Sequence, residues 1–444
     1  MKIFIETLGC PKNFNDSQVA AGLLEESGHE IVNIPSEADA IMVNTCGFIQ
    51  DAKKESIERI FDMAGYGKLL IVSGCLSQRY GEELYESMPE ADVILGVNDY
   101  DKLPQILTRY ESEMKDAGGE HCGLRREKHL SLYEKDLPSL NRKLDDDPYT
   151  ATIKIAEGCN NRCTYCVIPQ IRGPYRSVPM EDILKEAERL AAAGTKELIL
   201  IAQDTTAYGM DFDGKYHLAE LLTELCKVDR IAWIRIMYAY EDRITDELIE
   251  VMAREDKICK YLDIPLQHAS DRVLRAMDRR STRESIRNTV RRLRAAMDDI
   301  RIRTTLITGF PGESEEDFDE LIDMVETERF DRLGVFTYSA EEGTPAGEMA
   351  DQIPEEIKEE RMDQIMRRQL EISLENNRDL VGFTLEVIID EEDEDGSYIG
   401  RSRYDAPEID NSVLINTSKK HVPGDIINVR IVDAFDYDLV GEEV

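Results

Sequence analysis

The first hundred residues alternate short apolar runs with longer amphipathic ones. The apolar runs are Ile3–Ile5, Ala40–Asn44, Leu69–Ser73 and Val93–Leu95, and an amphipathic stretch covers Asp16–Glu26. Strands separated by helices are typical of a parallel sheet with helical crossovers. We therefore predict a doubly wound α/β domain over residues 1–125.

The pattern changes between Asp101 and Asp147. This stretch is charged and irregular, and it ends in Asp145-Asp146-Asp147-Pro148. Neither the period of a helix nor that of a strand is maintained there. We predict that residues 126–147 form a linker.

A second alternating series begins at Thr152. Its apolar runs predict six strands separated by helices: Thr152–Ala156, Glu197–Ala202, Ala232–Met237, Tyr261–Pro265, Arg303–Thr308 and Leu333–Tyr338. One helix is predicted over Met180–Ala193, between Pro179 and Gly194, and another after Ser314. Residues 148–375 thus have the pattern of an open or partial (β/α)6 barrel.

The last part of the chain changes to a period of two. After a long charged helix, about Pro354–Asn377, alternating runs occur at Phe383–Ile389, Tyr398–Arg403, Ser412–Asn416 and Ile426–Asp433. Short alternating strands with intervening turns predict a small antiparallel β-barrel over residues 376–444.

The hydrophobic content and the net charge of the chain limit the kinds of molecule that it is expected to bind. The hydrophobic content of 42% is ordinary for a globular protein, and the formal net charge is −37. Binding bare DNA or RNA requires an excess of Lys and Arg, so nucleic acid is not favoured as the principal partner. The alternative is that acidity serves solubility. With neither a signal peptide nor an 18-residue apolar run, we expect a cytoplasmic protein without a membrane partner.

The strongest chemical signal is the run Cys159-Asn160-Asn161-Arg162-Cys163-Thr164-Tyr165-Cys166, directly after the first strand of the second series. Three closely spaced thiolates suit an iron-sulfur cubane. No fourth cysteine lies nearby, which leaves one iron open for a substrate or cofactor. The alternatives are a zinc site, which would want a nearby histidine, and a carrier that only transfers electrons.

A second group of cysteines is indicated by topology. Cys10, Cys46 and Cys75 each follow a predicted strand of the N-terminal sheet. The carboxyl ends of parallel strands lie along one edge, so these cysteines can converge there and bind a second cluster. Each one alone would more often be a buried structural cysteine. Cys226 and Cys259 are interpreted as core residues, and Cys122 is assigned no role.

The run Cys159–Cys166 resembles the signature of the radical S-adenosylmethionine (SAM) enzymes. The resemblance implies that the open iron binds SAM and that reductive cleavage yields methionine and a 5′-deoxyadenosyl radical. Tyr165 matches the aromatic position beside the adenine, with simple packing as its alternative. Gln203 or Asp204 stands where many relatives hold the SAM amine. Gly309 begins a segment similar to the SAM-contacting glycine segment, although such runs are also ordinary turns.

Together, the three parts of the chain resemble the methylthiotransferase family over essentially its whole length. That resemblance implies an enzyme with two 4Fe-4S clusters and SAM, a C-terminal barrel similar to the TRAM domain, and a reductant protein such as a flavodoxin or ferredoxin. One branch modifies an adenosine in tRNA (MiaB-like). The other modifies the β-carbon of an aspartate in small-subunit ribosomal protein number twelve (RimO-like).

Three features favour the ribosomal-protein branch. Cys10-Pro11-Lys12-Asn13 and Asp263-Ile264-Pro265-Leu266-Gln267-His268 resemble segments of that branch. From Asn376 to Val444 there are 17 Asp and Glu residues against 6 Lys and Arg residues, a net charge of 6 − 17 = −11. Such a surface repels phosphate and attracts a basic protein. We therefore expect a basic ribosomal protein as the substrate.

Overall fold

Two compact units make up the chain in the computed structural model, which describes residues 1–116, 125–133, 142–144, 148–394 and 396–444. The first unit contains Met1–Asp146, Ala156–Asn161 and Cys166–Val178. The second contains Asp147–Ile155, Arg162–Tyr165 and Pro179–Val444. Cys122 and half of the predicted linker, residues 134–141 and 145–147, lie outside the described residues.

The first unit is built on a parallel sheet whose described strands have the order β2-β1-β3-β4-β5-β6. The strands are β1 (Lys2–Thr7), β2 (Glu30–Val32), β3 (Ala40–Thr45), β4 (Leu69–Gly74), β5 (Val93–Leu95) and β6 (Glu127–His129). The helices are α1 (Pro11–Glu26), α2 (Gln50–Ala64), α3 (Cys75–Ser87) and α4 (Leu103–Asp116). The predicted doubly wound domain is confirmed.

Two details of this sheet correct the prediction. Glu127–His129, assigned above to the linker, pairs with β5 as an edge strand. Leu103–Asp116, in the stretch predicted to be irregular, forms α4. The strand has only three residues and no apolar alternation, so its sequence carries no periodic signal. The helix has an apolar face, but charged residues interrupt it.

Apolar side chains cover both faces of the first sheet. Met42 and Ile71 pack on one face with residues of α1 and α4, and Ile41 and Val72 pack on the other with residues of α2 and α3. Strands that are buried on both faces are expected in a parallel sheet covered by crossover helices. This packing fixes the positions of the carboxyl ends of the strands along one edge of the sheet.

Seven further strands lie between residues 150 and 308 of the described chain, and a short helix lies between the second and the third of them. They are β7 (Thr150–Lys154), β8 (Ala156–Glu157), α5 (Ile168–Arg172), β9 (Arg176–Ser177), β10 (Glu197–Ile201), β11 (Trp233–Ile236), β12 (Ile258–Gln267) and β13 (Arg301–Thr308). With β14 (Arg332–Thr337), six of them form a parallel sheet of order β14-β13-β12-β11-β10-β7. The predicted open barrel is confirmed. β8 and β9 pair with each other and belong to the first unit.

Helices connect the strands of this second sheet. Those described are α6 (Met180–Ala193), α7 (Met210–Asp213), α8 (Leu218–Leu225), α9 (Asp246–Arg254), α10 (Asp271–Ala276), α11 (Arg283–Ala296) and α12 (Glu315–Glu328). α6 has the predicted bounds and ends at Gly194, whose φ is +110°. α12 begins after Ser314, which forms a reciprocal capping box with Asp317. The long helix α13 (Glu355–Arg378) then leads into the last strands.

The C-terminal strands close into a barrel of order β15-β16-β17-β19-β18. They are β15 (Thr384–Glu392), β16 (Tyr398–Ser402), β17 (Val413–Asn416), β18 (Ile426–Ala434) and β19 (Leu439–Glu443). The predicted barrel is confirmed, with two corrections. β19 was not predicted, and it pairs in parallel with β17, so the barrel is not wholly antiparallel. β19 is rich in Glu and Gly, and its alternation is therefore weak.

The barrel packs against the second sheet within the second unit. Ile388 and Ala406 of the barrel segment join a core cluster with Ile201, Trp233 and Tyr261 of the sheet. Buried charges accompany this apolar contact, including Arg401 with Glu197 and Arg332 with Asp405. Among the described helices, none is both long enough and apolar enough to cross a membrane.

Candidate functional site

Three cysteines lie at the carboxyl ends of neighbouring strands in the first unit. Cys10 is the N-cap of α1 after β1, Cys46 directly follows β3, and Cys75 is the first residue of α3 after β4. Because these strands are adjacent and parallel, the cysteines share one edge of the sheet. Cys10 and Cys75 thus stand at the N-termini of the helices α1 and α3.

The cysteines also lie close to one another in space. A Cβ atom built on Gly9 would lie 2.8 Å from the Cβ and 3.2 Å from the Sγ of Cys46, so the loop that carries Cys10 passes directly against Cys46. Gly9 has φ of +93°, which favours glycine. The predicted convergence of the two loops is present in the structure.

Two asparagines hold these loops in place. Asn13 Nδ2 donates to the carbonyl oxygens of Leu8 (2.9 Å) and Thr45 (3.0 Å). Asn44 Nδ2 donates to the carbonyl oxygen of Asn13 (2.8 Å) and to Ser17 Oγ (2.9 Å). Both asparagines are fully buried. They donate to backbone oxygens beside the cysteines, so their own buried amide groups are paired.

Burial dominates the acid-base chemistry of the two inner thiols. It raises the pKa of Cys75 to about 11, against the opposing effect of the Arg172 guanidinium, and the neighbouring Cys10 and Cys46 raise it further. Burial likewise raises the pKa of Cys46. A metal that binds these sulfurs must therefore displace protons, which couples cluster assembly to proton release.

The cysteines of the second group fall in both units and are described separately. In the first unit, the amide of Cys159 donates to the carbonyl oxygen of Gly173 (3.1 Å). Cys166 Sγ accepts from the amide of Ile168 at 3.5 Å. In the second unit, the Cys163 sulfur lies 3.2 Å from the hydroxyl of Tyr240. Their proximity to one another rests on the sequence, in which all three fall within Cys159–Cys166.

Donor chemistry in both groups fits iron-sulfur clusters. In the part of the chain that the structure describes, no three His, Cys, Asp or Glu side chains are arranged around a single metal ion. That arrangement is not required of a cubane, because each of its irons takes its own thiolate and the sulfurs stay apart. In the first unit, three thiols lie at one edge of the sheet, and a glycine stands where two of their loops approach most closely. These thiols provide the three thiolate ligands that a cubane cluster needs.

Tyr165 lies in the second unit among apolar side chains. It packs at the edge of a cluster that includes Phe310, Tyr338 and Met277. Arg279, which is buried and donates to the carbonyl oxygen of Pro265 (2.8 Å), is electrostatically coupled to Tyr165. This packing is compatible both with the predicted place beside an adenine and with a purely structural role.

Gln203 and Asp204 have different surroundings at the end of β10. Gln203 is partly exposed, whereas Asp204 is fully buried. The carboxylate of Asp204 accepts from Thr206 Oγ1 (2.8 Å), the amide of Ala207 (3.1 Å) and the Arg243 guanidinium. Asp204 therefore caps its own turn, which favours Gln203 of the two predicted SAM contacts.

Gly309 follows β13 in a turn that Glu313 closes. Glu313 Oε2 accepts from the amides of Gly309 (2.9 Å) and Phe310 (3.2 Å), and Arg361 donates to its other oxygen at 2.7 Å. Gly309 has φ of +71°, and a Cβ there would lie 2.2 Å from Lys358 Cγ. The glycine is thus required by the turn, whatever the turn binds.

Sequence reasoning missed three residues that contact the cysteines. They are Asn13 and Arg172 in the first unit, and Tyr240 in the second. Asn13 lies in the segment Cys10-Pro11-Lys12-Asn13, whose only signal in the sequence is the resemblance given above. Arg172 lies 97 residues from Cys75 and Tyr240 lies 77 residues from Cys163, so neither contact carries a local signal.

Family models match all three parts of the chain. Residues 153–325 match the radical SAM superfamily, residues 2–96 match uncharacterized protein family UPF0004, and residues 381–444 match the TRAM domain. These matches follow the order of the parallel sheet, the second sheet and the barrel.

Curated relatives cover the whole chain. The proteins named "Ribosomal protein uS12 methylthiotransferase RimO" from Clostridioides difficile and Desulforamulus reducens are 46% and 48% identical to it. The first alignment covers 100% of this chain and 98% of the relative, and the second covers 98% of each. A relative of the same name from Geobacter sulfurreducens is 47% identical over 99% of the chain and 98% of its own length.

Solved structures are similar in fold. The radical SAM methyltransferase TsrM from Kitasatospora setae, with cobalamin and a 4Fe-4S cluster bound, has a TM-score of 0.55 at 16% identity and covers 78% of this chain and 77% of its own. The cobalamin-dependent SAM radical enzyme OxsB has a TM-score of 0.51 at 15% identity, covering 84% of this chain and 56% of its own. At these identities the likeness concerns the fold alone.

Proposed function

Because the chain belongs to the RimO family of ribosomal protein uS12 methylthiotransferases, we propose that it attaches a methylthio group to the β-carbon of an aspartate in that ribosomal protein. The observation that carries the proposal is the meeting of the Cys10 and Cys46 loops at the sheet edge where Cys75 begins α3. A radical SAM enzyme that inserts no sulfur needs a single cluster, for which the cysteines of Cys159–Cys166 would suffice. The second group of cysteines would provide a second cluster, from which sulfur is added to the substrate.

Each group of cysteines is assigned one cluster. Cys159, Cys163 and Cys166 would hold the 4Fe-4S cluster that binds SAM, and Cys10, Cys46 and Cys75 would hold the auxiliary 4Fe-4S cluster. When bound, the first cluster would supply the electron for reductive cleavage of SAM, and the second would provide the site from which sulfur is added to the substrate. The chain's own contribution is to bury and orient these thiols with Asn13, Asn44 and the flanking glycines.

Three residues would contact SAM. Tyr165 would lie beside the adenine, and Gln203 would accept from the SAM amine at the end of β10. Gly309 would approach SAM through its turn, since Glu313 already fixes that turn from the inside. Asp204 is assigned the supporting role of holding the loop after Gln203.

With this assignment, each of the three domains would have a separate function. Residues 1–125 would carry the auxiliary cluster, residues 148–375 would generate the radical, and the barrel of residues 376–444 would dock the substrate. The charge of −11 in that last segment supports a basic protein rather than RNA as the docked molecule. A small redox protein such as a flavodoxin or ferredoxin would supply electrons, and the reaction would occur in the cytoplasm.

The test offers the anaerobically reconstituted enzyme both possible substrates in one reaction with SAM and a reductant. We expect the mass of one methylthio group to appear on an aspartate of the ribosomal protein and not on an adenosine of unmodified tRNA. The matched control is the variant with Cys10, Cys46 and Cys75 replaced by Ala, which should modify neither. Modified tRNA beside unmodified protein would overturn the substrate assignment while leaving the cluster assignment intact.

A further inference from the structure

One buried arginine of the first unit contacts the thiol of Cys75. Arg172 ends α5 and is only 2% exposed. Its Nη2 donates to Cys75 Sγ at 3.2 Å and to Asn13 Oδ1 at 2.8 Å. The site described above gives Arg172 no role.

The other half of the guanidinium is neutralised by two carboxylates. Arg172 Nη1 donates to Asp16 Oδ2 at 2.6 Å and to Glu157 Oε2 at 3.3 Å, and both acids are nearly inaccessible. An isolated buried charge is costly, so these ion pairs are needed to keep Arg172 where it is. Because the guanidinium is a rigid planar fork, fixing Nη1 on the acids also fixes the direction of Nη2. That direction is toward the sulfur.

Through Asn13 the same arginine reaches the other two cysteine loops. Asn13 Oδ1 accepts from Arg172, while its Nδ2 donates to the carbonyl oxygens of Leu8 and Thr45. Leu8 lies two residues before Cys10, and Thr45 lies directly before Cys46. One guanidinium is therefore connected to all three cysteine loops, directly to Cys75 and through the Asn13 amide to the backbone beside the other two cysteines.

Packing confirms that the segment after Cys166 forms a wall of this site. Cys75 shares an apolar cluster with Val167 and Ile171, which lie on the same segment as Arg172. The thiol is thus enclosed by apolar side chains on one side and meets a cation on the other. A hydrogen bond to sulfur in such a place is shielded from water and correspondingly strong.

We propose that Arg172 is a positioning residue for the auxiliary cluster, which holds the Cys75 sulfur in place and raises the reduction potential of that cluster. The inference rests on the proposed function, because it presupposes a cluster on Cys10, Cys46 and Cys75. Hydrogen bonds to ligating sulfurs are established determinants of cluster potential. An N–H donated to a ligating sulfur stabilises the reduced cluster, which carries one more negative charge than the oxidised one.

The experiment uses the full chain with Cys159, Cys163 and Cys166 replaced by Ala, so that only the auxiliary cluster titrates. Iron content is measured by a chelation assay, and the potential of the cluster by electron paramagnetic resonance during a redox titration. At the midpoint potential of this parent, Arg172→Met should increase the ratio of oxidised to reduced cluster about tenfold, equal to about 59 mV for one electron. Arg172→Lys, which keeps the charge but lacks the fork, should change the ratio in the same direction by less.

Arg126→Met is the matched control for losing a well-bonded arginine. Arg126 belongs to the same unit and donates to the carbonyl oxygens of Tyr85, Met88 and Ala91 instead of a thiol. This control should keep the parent's iron and potential. If Arg172→Met loses iron while it unfolds at the same temperature as Arg126→Met, the positioning role is supported. Unchanged iron and potential in both Arg172 variants would overturn the proposal.

A measurement on the parent covers the case in which the Arg172 variants do not fold. With ¹⁵N-arginine incorporated, electron-nuclear double resonance on the reduced cluster should detect a coupled arginine nitrogen. Its absence would refute the contact. If the parent binds no iron at all, the failure lies in the auxiliary cluster and hence in the proposed function. A normal cluster without arginine coupling would leave the proposed function standing and remove only the role of Arg172.

Discussion

Arg401 of the barrel and Glu197 of the second sheet form a buried ion pair, with 2.7 Å between Nη1 and Oε2 and at most 5% exposure of either side chain. Glu197 also accepts from Arg235 Nε at 2.8 Å, and Arg401 also donates to Asp390 and Thr150. Burial alone would raise the pKa of Glu197, but the two guanidinium groups outweigh it and hold that pKa below its usual value. The barrel is thus attached to the sheet by a charged network as well as by apolar contacts.

Breaking this pair should destabilise the second unit. Arg401→Met is expected to lower the free energy of unfolding by about 3 kcal/mol, the lower end of the range for buried pairs, because Arg235 still neutralises Glu197. Urea titration followed by circular dichroism measures the change. The matched control is Arg430→Met, whose pair with Glu442 is exposed and should contribute less than about 1 kcal/mol. Equal losses in the two variants would contradict the assignment.

The same pair predicts the pH dependence of stability. A carboxyl whose folded pKa is lowered contributes stability that is present above its unfolded pKa and is lost as pH falls through the folded value. The difference between the native protein and Arg401→Met should therefore be constant above roughly pH 5 and should shrink below the usual glutamate pKa of about 4.3. Urea titrations across this range measure it. A difference that grows in acid would show that another group is responsible.

Iron content should separate the two groups of cysteines. The reconstituted chain should hold about eight irons, and replacing either group by Ala should leave about four. Only the loss of Cys159, Cys163 and Cys166 should abolish reductive SAM cleavage. Cys226→Ala and Cys259→Ala are matched controls that should keep all the iron. Full iron in the variant without Cys10, Cys46 and Cys75 would exclude the auxiliary cluster.

Each turnover should consume two molecules of SAM. One should yield 5′-deoxyadenosine and methionine, and the other should yield S-adenosylhomocysteine, because hydrogen abstraction requires homolytic cleavage and methyl donation requires polar cleavage. Chromatography of the products during a single turnover measures the ratio, expected to be about one to one. Deoxyadenosine with product but without S-adenosylhomocysteine would reduce the reaction to sulfur insertion.

Gln203 and Asp204 should respond differently to substitution. Gln203→Ala should weaken SAM binding about tenfold, as expected for the loss of one hydrogen bond to a charged group. Asp204→Asn should instead lower stability, because its carboxylate is bonded to Arg243 and to its own turn. Calorimetric SAM titration and thermal unfolding distinguish the two effects. Undiminished SAM affinity in Gln203→Ala would remove it from the site.

The barrel segment Asp390–Asp395 consists of six consecutive acidic residues. Neutralising its exposed residues should slow docking of the ribosomal protein. Asp390 must be left unchanged, because it bonds Arg401 and the Tyr149 hydroxyl within the fold, and Asp395 lies outside the described residues. Glu391, Glu392, Asp393 and Glu394 are exposed, and their amide forms should lower the association rate several-fold at low salt without changing SAM cleavage. Rates are measured by stopped flow at two salt concentrations.

The control for this charge change lies outside the barrel. Glu356, Glu359, Glu360 and Asp363 are four exposed acids of α13 that can be neutralised in the same way. If they slow association as much as the barrel variant does, net charge rather than a docking surface is responsible. Loss of the effect at high salt is expected in either case, since exposed charges are screened beyond about 8 Å at physiological ionic strength.

Local patterns were sufficient for most elements of this protein. The apolar runs predicted all six strands of the second sheet, and Pro179 with Gly194 predicted the bounds of α6. The strands missed were β2, β6, β8, β9 and β19, which are short, polar or rich in glycine. A strand of that kind is held by its neighbours and carries no period of its own. The sequence also predicted two groups of cysteines. One prediction rests on close spacing, and the other on strand ends, which share an edge in a parallel sheet whatever the loop lengths.

Contacts between distant residues were decided only by the tertiary structure. Arg172 lies 156 residues from Asp16 and 97 from Cys75, and Arg401 lies 204 from Glu197. A charged side chain has the same local signal whether it is solvated or buried beside a partner, so the charge counted over residues 376–444 includes Asp390, which the fold holds against Arg401. The sequence therefore predicts which residues carry the chemistry, since spacing and topology place them. Which other residues position these chemical groups depends on burial and on the direction of individual hydrogen bonds. Both are defined only in the folded chain.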